Sequence, residues 1–383
     1  MQMPFHSSWV TQFLWQILKG GCMTERLKYH FEPKTGWMND PNGLIEFQGR
    51  YHAFFQYNPC ALECGQMHWG HAASRDLIHW EELPIALYPD MPYENDRGCF
   101  SGSAIEKDGI LYLYYTSVSH EMGQTQSIAM SSDGVNFVKY DKNPVIPHYP
   151  IDGCEDFRDP KVVQINDAYY MVCGSGKNGA GKVLLYKSED LFDWTYAGVL
   201  FESTEYGAVL ECPDFFQLDD RFVLMFSKMG MKTHATQFII GDFINDTFIP
   251  ASYATPEAGP QFYAPQTFMD SAGRRIMIGW LYDWNKELDE GAEFAGALTI
   301  PRELKIKEHR ILNFPVSEAH SLLAVKDDMV HVSDGCVCIN APNLKFPLRY
   351  NGNIEDVQIL KDTKTIEVFI NEGEASFTCW FNK

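Results

Sequence analysis

The sequence predicts an all-β chain: a five-bladed β-propeller followed by a small, shortened β-sandwich. Three observations carry this: a hairpin that recurs five times, the near-constant spacing of its turns, and a loss of that register after about residue 304. In each copy a strand-like run, a tight polar turn and a second apolar or aromatic run follow one another. The first joins residues 44–47 to 51–55 through Gln48-Gly49, and the second joins 103–105 to 111–115 through Lys107-Asp108-Gly109. The third joins 162–165 to 169–172 through Asn166-Asp167, and the fourth joins 215–218 to 222–226 through Asp219-Asp220. The fifth joins 267–269 to 275–279 through a turn from Asp270 to Gly273. Gly, Asn and Asp supply the positive φ that such turns demand.

The turns fall at intervals of 59, 59, 53 and 52 residues. Two intervals also hold a second strand pair joined by a Ser-x-Asp-Leu-x-x-Trp turn, Ser74 to Trp80 and Ser188 to Trp194. Four strands per unit of roughly 50 residues is a propeller blade, whereas a sandwich has no reason to keep so long a period. The sequence therefore divides into an extension at 1–27, with Met23 as an alternative start, a propeller at 28–303 and a short sandwich-like unit at 304–383. In the last unit, residues 365–370 followed by Asn371-Glu372-Gly373 form a hairpin outside the repeat, and Ile366, Val368 and Ile370 mark one buried face.

Lys and Arg number 31 against 51 Asp and Glu, a net charge of −20. That balance excludes the basic footprint that nucleic acid or an anionic membrane surface requires. A neutral partner, or a small anion gripped locally, remains open, as does a homo-oligomer. The ten cysteines include no C-x-x-C, and Cys336-x-Cys338 has no partner pair for a zinc site. They read as reduced thiols of a cytoplasmic protein. The twelve His residues show no H-x-x-x-H, and no metal or other cofactor is expected. Gly174-Ser175-Gly176-Lys177 reads as a loop rather than a phosphate cradle.

Just ahead of each inner strand, seven to nine residues before its turn, stand Asp40 in blade one, Asp159 in blade three and Glu211 in blade four. Blade two has Ser101 there, and blade five has Ala264 beside Gln266. Singly, each acid reads as a turn residue satisfied by backbone amides. Together they place three carboxylates in one funnel, where crowding separates their proton affinities as an acid and a nucleophile require. Arg158 can hold a neighbouring carboxylate ionised, and Trp37, Trp69, Phe100 and Trp280 could form aromatic walls for a sugar face.

The motifs WMNDPNG, FSGSA, FRDP, ECPD and FYAPQ, in that order and at these intervals, resemble glycoside hydrolase family 32, the invertase and fructanase family. The resemblance runs from about residue 29 to 304 and extends weakly to the end. It implies a five-bladed propeller with a β-sandwich about twice as long as the one found here. It also implies retaining hydrolysis of β-fructofuranosides such as sucrose, sucrose 6-phosphate or fructo-oligosaccharides. By the motifs, Asp40 would be nucleophile, Glu211 general acid/base and Asp159 transition-state stabiliser. Substrate contacts would come from Trp37, Asn39, Gln56, Trp69, Phe100, Ser101, Arg158 and Trp280. Rival readings are fructosyl transfer by the same triad, an inverting arabinan-type hydrolase, and a non-catalytic sugar-binding propeller.

Overall fold

The computed structural model describes residues 25–231, 233–281, 284, 288, 291–342 and 344–381. Of the extension expected at 1–27, residues 1–24, with Met23, lie outside them. Residues 25–27 belong to the fold. The Arg26 guanidinium lies 4.2 Å from the Phe294 ring centroid and donates to the carbonyls of Pro33 and Lys34, and Leu27 is buried.

Five sheets repeat one plan, strand by strand outward from an axis. Their inner strands are Gly36–Phe47, Gly98–Lys107, Arg158–Ile165, Leu210–Leu218 and Tyr263–Met269. Each pairs antiparallel with its successor across the predicted hairpin. Gln48, Asp108, Asn166 and Asp219 take φ near +50°, as those turns require. Neighbouring inner strands touch in ring order, and the fifth touches the first. The ring is latched by Phe294–Ala295, which runs parallel to Gly36-Trp37 of the first sheet.

Blades pack face to face, so every inner hairpin is buried on both sides. This explains the doubled aromatics. Phe54 packs toward blade two and Phe55 toward blade five; Tyr115 and Tyr114 divide between blades one and three; Phe215 and Phe216 divide between blades three and five. A strand buried on both faces reads as a continuous apolar run rather than an alternating one. The turn of blade one, Ser74 to Trp80, is held by Asp76 accepting from the amides of Ile78 and His79, while Trp80 Nε1 donates to the Leu77 carbonyl. Ser188 to Trp194 repeats this. Blade two holds a third copy, Ser131-x-Asp133, that lacks the Leu and Trp by which the pattern is recognised.

The fifth sheet takes its outer strands from Arg302–Lys307 and Arg310–Pro315. The change of register expected at 303/304 therefore falls inside this blade: the stretch of chain between Trp280 and Arg302 lengthens it, so the count of strands, not of residues, marks its end. Two three-stranded sheets follow. Val330–Ser333, Cys336–Ile339 and Leu348–Asn351 form one; Val357–Lys361, Thr365–Ile370 and Ala375–Trp380 form the other. They share a core of Val337, Ile339, Ile359, Ile366, Val368, Ile370 and Phe377.

The opposite face of Thr365–Ile370 is also buried, against the propeller. Glu367, on the face that the alternation leaves unassigned, is fully buried there. It accepts from Arg302 at 2.5 Å and pairs with His30 Nε2 at 2.7 Å. Arg302 also reaches Glu257 at 2.6 Å, Asn313 at 2.8 Å and Thr378 at 2.6 Å. His30 Nδ1 pairs with Asp362, which accepts the amides of Lys28 and Tyr29. Burial alone would lower the His30 pKa, but the two carboxylates outweigh it and hold it up to about 9. Burial likewise opposes ionisation of Glu367, yet Arg302 and His30 bring it down to about 2. Among the described residues no helix is long and apolar enough to cross a membrane.

Arg302→Met leaves Glu257 buried without its cation and Glu367 with His30 alone, so unfolding free energy should fall by about 3–5 kcal/mol in denaturant titrations. A variant ending at Lys307 also loses the outermost strand of blade five and should fail to fold by circular dichroism. For pH, the raised His30 stabilises fully below its unfolded value of 6.5, and that contribution fades as pH rises through about 9. The depressed Glu367 stabilises above 4.5 and fades as pH falls through about 2. The thermal midpoint should therefore decline from pH 6.5 to 9, and His30→Gln should flatten that decline.

Candidate active site

Each inner strand breaks register with its neighbour over two residues near its start. The slips lie between Met38 and Pro41, Cys99 and Gly102, Arg158 and Lys161, Glu211 and Asp214, and Tyr263 and Gln266. These are β-bulges, which re-aim side chains and accept a proline that has no amide to pair. Four of the five carry Pro there and the other carries Gly: Asn39-Asp40-Pro41, Phe100-Ser101-Gly102, Arg158-Asp159-Pro160, Glu211-Cys212-Pro213 and Tyr263-Ala264-Pro265. Asp159, Cys212 and Ala264 take φ of 62°, 47° and 47°, a left-handed backbone that non-glycine residues adopt only where the surroundings impose it.

Aligned on the third residue, the bulges correct the sequence register by one place in blade four. Cys212, not Glu211, shares a level with Asp40, Ser101, Asp159 and Ala264. Glu211 stands one level outward with Asn39, Phe100, Arg158 and Tyr263. Exposure varies around these two levels: Phe100, Arg158, Glu211, Tyr263, Asp40 and Cys212 are partly open, Asn39, Ser101 and Asp159 are buried, and Asn42, Ser103 and Asp214 beneath them are fully closed. The floor is an ion pair, Lys161 Nζ to Asp214 at 3.2 Å, with Gln266 Nε2 donating to the Gly102 carbonyl.

At the outer level Glu211 is held at both oxygens. Arg158 Nη2 donates to Oε1 at 2.9 Å and the Tyr263 hydroxyl donates to Oε2 at 2.5 Å. At the next level Asp40 accepts at Oδ2 from Ser101 Oγ at 2.6 Å and from the Cys212 thiol at 3.4 Å. Its Oδ1 accepts from Asn39 at 3.1 Å, and Asn39 accepts in turn from Trp37 Nε1. Asp159 accepts the Cys212 amide at 2.8 Å, and its own amide donates to Thr116.

Burial pushes the Asp40 carboxyl up, against the pull of Ser101 and Asn39 and with a push from Glu211. Arg158 was expected to keep Asp159 low. It does pull downward, but burial outweighs it and lifts Asp159 to about 7. Burial keeps the Cys212 thiol and Tyr263 phenol protonated, so both act as donors here.

Of the residues expected to touch a substrate, the structure brings Asn39, Phe100, Ser101 and Arg158 to the acids. Trp37 edges the same site, stacked 5.5 Å from Trp284. The others stand behind it. Trp69 is fully buried in the core between blades one and two, with Nε1 donating to the Phe100 carbonyl. Gln56 is buried and donates to the Cys99 carbonyl. These two fix the bulge that presents Phe100 and Ser101, because a side chain on the second or third strand of a blade lies between blades rather than on the axis. Trp280 is fully buried beneath Trp37 and Trp284. Tyr263, Cys212 and the half-exposed Trp284 were not singled out from sequence. Aligning the five Pro or Gly positions would have placed the first two. No three His, Cys, Asp or Glu groups among the described residues stand close enough together to hold a metal ion.

An acid ring of this kind at the axis of a five-bladed propeller is that of a glycoside hydrolase, and the comparisons specify which. The glycosyl hydrolases family 32 N-terminal domain matches residues 30–315. A sucrose-6-phosphate hydrolase of Zymomonas mobilis is 36% identical over 364 residues, covering 87% of this chain and 69% of that protein. One from Escherichia coli is 41% identical over 316 residues, 77% of this chain and 65% of that protein. A family 32 β-fructofuranosidase of Bombyx mori has the same fold, with TM-score 0.83 and 31% identity over 93% of this chain and 89% of that one. A variant of that enzyme was solved in complex with sucrose. The chain belongs to glycoside hydrolase family 32 and is a glycoside hydrolase of the β-fructofuranosidase kind. It spans about two thirds of the length of these bacterial relatives.

Raised acids make the site costly to the fold. A carboxyl lifted from 3.8 to about 7 destabilises the native state increasingly as pH rises between those values. Asp159→Asn keeps an acceptor for the Cys212 amide and removes that penalty. It should raise the thermal midpoint above pH 7 by a few degrees and leave it unchanged near pH 4, as read by calorimetry.

Proposed function

We propose that this protein hydrolyses β-D-fructofuranosides with retention of configuration, with Asp40 as nucleophile, Glu211 as general acid/base and Asp159 as the group that binds the sugar hydroxyls. The observation that carries the reading is the contrast between the two outer carboxylates. Asp40 is steadied by three donors and aimed inward from a bulge. Glu211 lies nearer the opening, where a leaving group departs, between one fixed cation and one hydroxyl.

In the first step Asp40 attacks the anomeric carbon while Glu211 gives a proton to the departing glycosidic oxygen. In the second, Glu211 takes a proton from water, and the hydroxide so formed displaces Asp40 and frees fructose. Asp159, deeper than either, would grip hydroxyls whose contacts strengthen as positive charge develops on the ring. The propeller, through Pro315, carries this chemistry, and the last two sheets hold it in shape. Sucrose and sucrose 6-phosphate are the substrates to try first, since relatives bearing those names match over most of the chain. All nine described cysteines are free thiols, which supports residence in the reducing cytoplasm.

Asp40→Asn should abolish release of fructose from sucrose, sucrose 6-phosphate, inulin and levan, while sugar binding by calorimetry persists. Turnover near that of the parent in this variant would end the assignment of Asp40. Proton magnetic resonance of the first fructose released distinguishes retention from inversion, and an inverted product would favour the arabinan-type rival.

A further inference from the structure

We propose that Tyr263 is a positioning residue for Glu211 that reserves Oε2 as the oxygen carrying the acid proton. The inference rests on the function proposed above and deepens it.

The two partners of Glu211 are chemically unequal. Arg158 has only N–H donors and cannot accept, so a proton on Oε1 would collide with the Nη2 hydrogen 2.9 Å away. Arg158 is itself fixed by Asp156, which receives Nη1 at 2.5 Å, so it cannot swing aside without breaking a second charged contact. A tyrosine hydroxyl can donate or accept. The proton therefore fits on Oε2 alone, where Tyr263 turns from donor to acceptor. The 2.5 Å separation lies within the range of charge-assisted O–H···O bonds.

The arrangement has a direction. As the glycosidic bond breaks, its electron pair passes to the leaving oxygen, which takes the proton from Oε2. The carboxylate left behind gains the Tyr263 O–H bond at that moment. The hydroxyl thus stabilises the product of proton donation, an effect worth most when the leaving group is poor. The same bond opposes the reverse transfer, when Glu211 takes a proton from water. Tyr263 sits at the outer level of blade five beside the Trp37, Trp280 and Phe100 cluster, so its ring is gripped while its hydroxyl faces the acid. The other ionisable groups facing Glu211 are Asp40, Asp159, Arg158 and Cys212. None of them replaces a hydroxyl at Oε2.

The test compares the parent chain with Tyr263→Phe on sucrose and on an aryl β-fructofuranoside whose phenolate leaves without protonation. On sucrose kcat should fall about 10–100-fold, the scale of one hydrogen bond to a charged group, with KM near that of the parent. On the aryl substrate the rates should stay close. The alkaline limb of the sucrose profile should move to higher pH, because the lost bond had favoured the ionised carboxylate. Equal losses on both substrates would make Tyr263 merely structural, and no loss on either would remove its role; both overturn the inference. Should the Phe variant not fold, 3-fluorotyrosine at position 263 keeps the ring with a more acidic hydroxyl. The alkaline limb should then move to lower pH, and an unmoved limb overturns the inference. A parent chain that cleaves no fructoside would overturn the functional reading itself, whereas an active parent matched by the variant overturns only this one.

Discussion

Three carboxylates within one narrow ring are the constraint around which the molecule is built. Like charges in a low-dielectric site repel, and each buried charge without a partner costs several kcal/mol. Asp40, Asp159 and Glu211 are tolerable because Arg158, Ser101, Asn39, Tyr263 and the Cys212 thiol and amide surround them. Those donors come from all five inner strands. They converge only if every strand bulges at the same level. Equal levels require five blades of equal pitch, and these require the latch of Phe294–Ala295 on Gly36-Trp37 to close the circle.

The ring is therefore strained polar chemistry inside an apolar frame. Between blades the contacts are aromatic and fully dry, with Phe54, Phe55, Tyr114, Tyr115, Phe215 and Phe216 each buried. A buried side chain of that size contributes about 1.5–3 kcal/mol. The surplus from five such interfaces offsets the raised acids and the three left-handed residues at the bulges. Even the floor is built from one buried pair, Lys161 with Asp214, and Arg275 beside it rests over the Phe216 ring.

Much of this was legible in the sequence, for a definite reason. Hairpin turns need positive φ, so Gly, Asn and Asp mark them, and a repeat of equal pitch shows as equal spacing. The acids were legible because the repeat fixes their level to within one residue. That single residue hid the true neighbours of Glu211. Turn-counting measures along the chain, whereas a bulge inserts a residue at a place only pairing reveals. Trp69 and Gln56 were legible as motif residues, but their burial behind the bulge of Phe100 and Ser101 is set by packing between blades that a motif does not record. The end of blade five was misplaced because its last two strands lie beyond a long excursion after Trp280. The face of Thr365, Glu367 and Phe369 stayed unassigned because alternation cannot distinguish water from a buried arginine.

The network of His30, Arg302, Asp362 and Glu367 also governs when the chain can finish folding. His30 and Asp362 are 332 residues apart, and His30 and Glu367 are 337 apart. During vectorial synthesis the first blades emerge while their charged partners are still unmade. Arg302 and His30 then wait as solvated cations at an unfinished surface. Loop closure over such a separation is slow, and chains of this size pass through partly formed states. The nascent propeller is thus most exposed to aggregation and proteolysis in the interval before its last two strands dock.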